Sequence, residues 1–186
     1  FELDSWNTYV AVNQKFANAI LEKSDDDDTI WVHDYQLMLV PQMVRLQRPN
    51  VSIGFFLHIP FPSFEIFRTL PWREKILEGL LGSDLIGFHT YNYERHFLSS
   101  VRRLLGLEVS FNEIYMDDRV IKVDSFPMGI DYKKFSDAAK EHNEKKDKNQ
   151  SELQQRLNAH KESAPDAKFI LSIDRLDYTK GIAKRL

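Results

Sequence analysis

Apolar positions along the chain recur with two different periods. Trp6, Tyr9, Val10, Phe16 and Ile20 fall at helical spacing and predict an amphipathic helix over residues 5–23. Ser24 and the aspartates at 25–28 end it. Four consecutive carboxylates suggest either a cation site or a solvated loop. Hard-cation loops interleave carboxylates with Gly and carbonyl donors, which favours the loop. Short apolar runs then alternate with helical patterns. TIWVH (29–33), VSIGFFLH (51–58), SDLIGFH (83–89), RVIKVDSFP (119–127) and KFILSID (168–174) read as strands. Helices are predicted over 37–48, over 64–81 in two pieces around Pro71, and over 91–105 with Gly106 as its stop. Residues 137–163 are densely polar, with Leu153 and Leu157 as helical anchors, and read as a solvated helical excursion.

Strands alternating with helices of about ten or more residues imply βαβ units and a parallel sheet. The strands are apolar on consecutive rather than alternate residues, so helices are expected on both faces. The predicted class is α/β, a doubly wound, Rossmann-like parallel sheet. Composition narrows the reading only a little. At 186 residues the chain is ample for a core. With no Cys, disulfides and thiolate chemistry are excluded, and a cytoplasmic location is expected. A net charge of -3 argues against a nucleic-acid surface. No apolar run of about 18 residues exists, so no membrane span is expected.

Candidate chemistry lies where the strands stop. In open parallel sheets, ligands bind outside the carboxyl ends of the strands. The first predicted strand ends at His33-Asp34, the second at His58 and the third at His89-Thr90, so three of the six histidines terminate successive strands. Pro60 and Pro62 forbid the second strand from continuing in a central sheet. Three His and an Asp suit zinc by ligand type, and a metallohydrolase using His33, His58 and His89 is one reading. The strand-like spacing of these residues contains no short metal motif. Neither GxGxxG nor a P-loop is present. In SIDRLDYTKG, Arg175 and Lys180 straddle a turn, with Gly181 next. A guanidinium and an ammonium suit a diphosphate. A surface pair of Arg175 with Asp177 explains the same residues equally well.

The segments WVHDYQLMLVPQMVR, IGFFLHIPFPSFEIFRTLP, DLIGFHTYNYERHFL, FPMGID and SIDRLDYTKGI, in that order, resemble the trehalose-6-phosphate synthases, retaining glucosyltransferases of the two-domain GT-B fold. The resemblance implies transfer of glucose from UDP-glucose to glucose 6-phosphate, giving α,α-trehalose 6-phosphate with no metal or cofactor. It assigns Asp34 to the acceptor sugar phosphate and His58 to the donor glucose. It places His89 on the donor side, where some members carry Gln, and gives Arg175 and Lys180 the donor diphosphate. His58 and Asp34 are the expected catalytic pair.

By the same resemblance, residues 1–127 are the later part of an N-terminal acceptor-side domain. Residues 128–167 are a connecting region, and 168–186 carry the first strand of a C-terminal nucleotide-sugar domain. Both ends read as cut, so the chain alone is expected to have little or no transferase activity. The rival readings are a related transferase with another phosphorylated acceptor, such as glycerol 3-phosphate, and a catalytically silent sugar-phosphate-sensing subunit. Expected partners are the two substrates, with neither nucleic acid nor membrane, and with room for a homo-oligomer.

Overall fold

In the computed structural model, which describes residues 3–116, 118–144, 152–168 and 170–185, the chain divides into two units, Phe1–Gly129 and Ile130–Leu186. The first holds helix α1 (Leu3–Lys23), strand β1 (Thr29–His33) and a 3-10 turn (Tyr35–Leu37), followed by α2 (Val40–Arg45) and β2 (Ser52–Phe56). Next come α3 (Phe64–Phe67), α4 (Arg73–Leu80), β3 (Leu85–Phe88) and α5 (Tyr91–Leu105). Strands β4 (Glu108–Ser110), β5 (Glu113–Tyr115) and β6 (Val120–Ser125) complete it.

The six strands order as β1-β2-β3-β6-β5-β4, parallel from β1 to β6 and antiparallel across β6, β5 and β4. The parallel steps all advance in one direction. Right-handed crossovers that advance in one direction place their helices on one face. That face buries Ile30, Val32, Ile53, Phe55, Ile86, Phe88, Ile121 and Val123 in one core with Ala17, Val40, Val44, Leu77, Leu80, Phe97 and Val101 from the helices.

The α/β class and the parallel strands are as expected, and among the described residues the opposite face of the sheet is open. Register puts Trp31, Gly54, Leu85 and Lys122 in one row across the strands, and His33, Phe56, Gly87 and Asp124 in the next. Trp31 is 66% exposed there. Covering that face requires crossovers that reverse the strand order, and the described strands of this sheet contain none.

Two elements differ from the sequence reading. The β4–β5 hairpin was not anticipated. Its strands are three residues long, and its turn, Phe111-Asn112, lacks glycine, with Phe111 itself at φ 50°. The apolar run at 168–174 forms no strand among its described residues, and its Phe169 lies outside them. A strand needs a hydrogen-bonding neighbour, and the second unit's described elements are helical: α6 (Tyr132–Glu144), α7 (Glu152–Ser163) and the 3-10 turns Tyr178–Lys180 and Ile182–Lys184. Helices α6 and α7 occupy the polar stretch predicted to be helical; residues 145–151 and the side chain of Leu153 lie outside the described residues.

The strands' amino ends are pinned by a buried guanidinium. Arg45, 9% exposed, donates to the carbonyls of Gly82 (3.0 Å), Pro49 (2.8 Å) and Val51 (2.6 Å) and to Asp84 Oδ2 (2.7 Å). The same carboxylate oxygen accepts the Ile53 amide at 2.7 Å. Arg119 adds hydrogen bonds to the carbonyls of Ser83 and Leu81. Arg45→Ala leaves three carbonyls without their donor and takes the nearer cation from Asp84, and is expected to cost roughly 3 kcal/mol. Urea denaturation checks this; an unchanged midpoint would contradict it.

Candidate functional site

The carboxyl ends of the parallel strands form the opposite rim. There Asp34 follows β1 with φ 70° and ψ 170°. That region is essentially reserved for glycine and costs another residue about 1–3 kcal/mol. The conformation lets Asp34 reach the next strand twice. Its amide donates to the Phe56 carbonyl at 2.8 Å, and its Oδ1 accepts the His58 amide at 3.1 Å. Leu57 extends the ladder by donating to the Gly87 carbonyl at 3.0 Å. Pro60 and Pro62 follow, outside any strand.

This clamp gathers the three histidines. His33 Nδ1 lies 3.0 Å from His58 Nε2, with the two ring centroids 5.3 Å apart and the ring planes 20° from parallel. The His89 ring lies 5.4 Å from that of His58. Phe56 wedges between strands, 4.8 Å from His58 and 5.0 Å from His89. It fits because Gly87 faces it: a Cβ there would meet Phe56 Cδ2 at 2.6 Å. Beside the imidazoles, a hollow of about 580 Å³ opens onto the exposed sheet face, with Trp31, Phe56, Leu85, Phe126 and Met128 among its walls. Its apolar floor and imidazole rim suit a sugar ring, which has apolar C–H faces and a belt of hydroxyls. The facing nitrogens of His33 and His58 engage each other, and among the described residues no group of three or more His, Asp or Glu is arranged to hold a metal ion.

The sequence pointed to Asp34, His58 and His89, and these sit together on this rim. Arg175 and Lys180 belong to the second unit. Arg175 is exposed, and Lys180 closes the 3-10 turn that precedes Gly181, whose φ is 60°. Arg185, which sequence reasoning passed over, binds Asp174 at 2.7 Å and donates to the Lys180 carbonyl at 2.7 Å.

Also missed were two polar side chains of α1. Tyr9 Oη donates to the Tyr35 carbonyl at 2.7 Å and accepts the Met38 amide at 3.1 Å. Burial pushes its phenol up, while the bonds with Met38 and Asn13 pull it back. Asn13, fully buried, donates to the Gln36 carbonyl at 2.9 Å and accepts the Leu39 amide at 3.1 Å. Together they hold the turn that begins at Asp34. Periodicity counts apolar positions, so a buried Asn within a helix leaves no trace in it.

A family model described as Glycosyltransferase family 20 matches residues 1–186. The chain belongs to this family. The UDP-forming α,α-trehalose-phosphate synthase A of Dictyostelium discoideum is 47% identical over 97% of the chain, which spans 24% of that relative. The 56 kDa subunit of the Saccharomyces cerevisiae UDP-forming synthase is 45% identical over all of the chain, which spans 37% of it. The chain thus covers well under half of either family member. Among solved structures, "Trehalose-6-phosphate from E. coli bound with UDP-2-fluoro glucose" matches all of the chain at 33% identity and TM-score 0.78, with 39% of its own length covered. The Burkholderia xenovorans UDP-forming synthase in complex with glucose-6-phosphate matches all of it at 29% and TM-score 0.78, again with 39% covered. These family neighbours share the α/β architecture of the chain.

Asn13→Leu removes an amide that no neighbour replaces, leaves the buried Leu39 amide without its acceptor and takes the donor from the Gln36 carbonyl. A loss of about 2–3 kcal/mol is expected in urea unfolding. A loss below about 0.5 kcal/mol would show that the turn after Asp34 is held some other way.

Proposed function

We propose that the protein to which this chain belongs transfers glucose from UDP-glucose to glucose 6-phosphate, forming α,α-trehalose 6-phosphate with retention at the donor carbon. The observation that carries the reading is the gathering of Asp34, His58 and His89 on one rim, where His58 also borders an apolar hollow. Family membership supports it. So do relatives named as UDP-forming synthases and neighbours solved with UDP-2-fluoro glucose and with glucose-6-phosphate.

In this reading Asp34 takes an acceptor hydroxyl, and His58 and His89 take hydroxyls of the donor glucose. The departing diphosphate accepts the acceptor's proton, so no enzyme nucleophile is needed. Catalysis then rests on orienting the two sugars and on stabilising charge at the leaving group. Arg175 and Lys180 supply that stabilisation, one as a planar fork and the other as a mobile point charge. Residues 1–127 belong to the acceptor-side domain, 128–167 to a connector and 168–186 to the nucleotide-sugar domain. No described helix is long and apolar enough to cross a membrane; a cytoplasmic location is part of the proposal.

The test is a product assay on the full-length protein, offering glucose 6-phosphate and glycerol 3-phosphate in parallel with UDP-glucose. Trehalose 6-phosphate is the expected product. Transfer only to glycerol 3-phosphate would replace the acceptor, and no transfer to either would overturn the reading. The double variant Arg175→Ala, Lys180→Ala should weaken binding of the nucleotide sugar by about 100-fold or more, since two charge-assisted contacts are lost. Unchanged affinity would remove the diphosphate role from both residues. The 186-residue chain alone is expected to give little or no product.

A further inference from the structure

The residues assigned to the sugars do not include His33, yet its Nδ1 lies 3.0 Å from Nε2 of His58. Two ring nitrogens at that distance share one proton. When both rings are neutral there are two arrangements. In the first, His33 Nδ1–H donates, Nε2 of His58 accepts, and His58 carries its own proton on Nδ1 as a donor. In the second, His58 Nε2–H donates to His33, and Nδ1 of His58 is a bare acceptor. Adding one proton to the pair leaves the shared proton in place and protonates both outer nitrogens, so Nδ1 of His58 is then a donor in either case. A second added proton would set N–H against N–H and break the bond.

The surroundings hold the pair in place. The titratable groups facing the pair are Asp34, whose Oδ1 accepts the His58 amide, and His89, whose ring lies 5.4 Å from that of His58. The lining of the hollow carries no charged side chain. Trp31 stacks on the far side of His33 at 5.0 Å, and Phe56 supports His58 at 4.8 Å. Both rings are thus held by aromatic neighbours in the orientation that keeps their nitrogens together.

We infer that His33 is a positioning residue: it commits Nε2 of His58, fixes that ring, and leaves Nδ1 as the nitrogen that His58 offers to a sugar hydroxyl. The inference rests on the donor-side role proposed above for His58. Its chemistry extends that role, because a shared proton makes the hydrogen-bonding sense of His58 depend on its neighbour.

The test uses two variants. His33→Phe keeps a flat ring against Trp31 and removes both nitrogens. His33→Asn places an amide near the position of Nδ1 and restores a partner. In the imidazole-labelled 186-residue chain, long-range proton–nitrogen NMR should show Nε2 of His58 hydrogen-bonded in the parent. In His33→Phe it should show His58 averaging over both tautomers, and His33→Asn should return it toward the parent pattern. In the full-length protein, His33→Phe should lower kcat for glucosyl transfer roughly tenfold, the equivalent of one hydrogen bond of ordinary strength. The KM for glucose 6-phosphate should stay within about twofold, and His33→Asn should recover most of kcat. An unchanged His58 spectrum in His33→Phe would overturn the inference. So would a changed spectrum with unchanged kcat, because the pair would then be structural only. A coupled pair in a full-length protein that transfers no glucose would leave the pair standing and sink the functional reading instead.

Discussion

A single strained residue organises the rim. Asp34 sits in a backbone region that glycine alone enters freely, with φ 70° and ψ 170°. The conformation persists because the surroundings over-determine it. Its amide and its carboxylate both bind the neighbouring strand, while Tyr9 and Asn13 of α1 satisfy the turn that follows. Relaxing Asp34 into an ordinary extended conformation would swing its carboxylate away from His58 and release the end of β2. The position of His58, and through it the contacts to His33 and His89, depends on that one residue.

The sheet divides its polar residues by rim. At the amino ends of the strands, Arg45, Asp84 and Arg119 satisfy carbonyls and amides of the connecting loops, a structural task. At the carboxyl ends the polar side chains point outward and meet one another beside the hollow. This asymmetry follows from parallel topology. Each right-handed crossover returns the chain to the same starting rim, so successive strand ends accumulate on the other. The one-directional strand order has a second consequence. The first unit's core helices pack on one face and leave Trp31, Phe56 and Leu85 to wall the hollow on the other.

Much of the rim was legible because three histidines each terminate an apolar run, and the βα period says that such ends align. What the sequence did not disclose is of a different kind. Nothing in HDYQL shows that Asp34 adopts a glycine conformation, since Asp is common in ordinary turns. Asn13 is invisible to a search for apolar periodicity, which counts Tyr9 only as an apolar position and not as a hydrogen-bonding hydroxyl, and Arg45 looks no different from Arg48 until its carbonyl partners are assembled around it. The β4–β5 hairpin escaped notice because Glu108, Ser110 and Glu113 give its short strands a polar cast. The described residues of the run at 168–174 form no strand for the opposite reason. Its composition suits a buried strand, but Ile170, Leu171 and Ile173 are 93%, 84% and 82% exposed, and propensity alone does not make a ladder.

If the clamp at Asp34 is what fixes the rim, its removal must be felt first at the amide it holds. The direct measurement is hydrogen exchange at the His58 amide in the parent chain and in Asp34→Gly, a substitution that relieves the backbone strain while deleting the acceptor. The account predicts a protected His58 amide in the parent and exchange at least roughly tenfold faster in the variant, with the Ile53 amide, anchored by Asp84 at the far rim, unaffected. Equal exchange at His58 in the two proteins would contradict it.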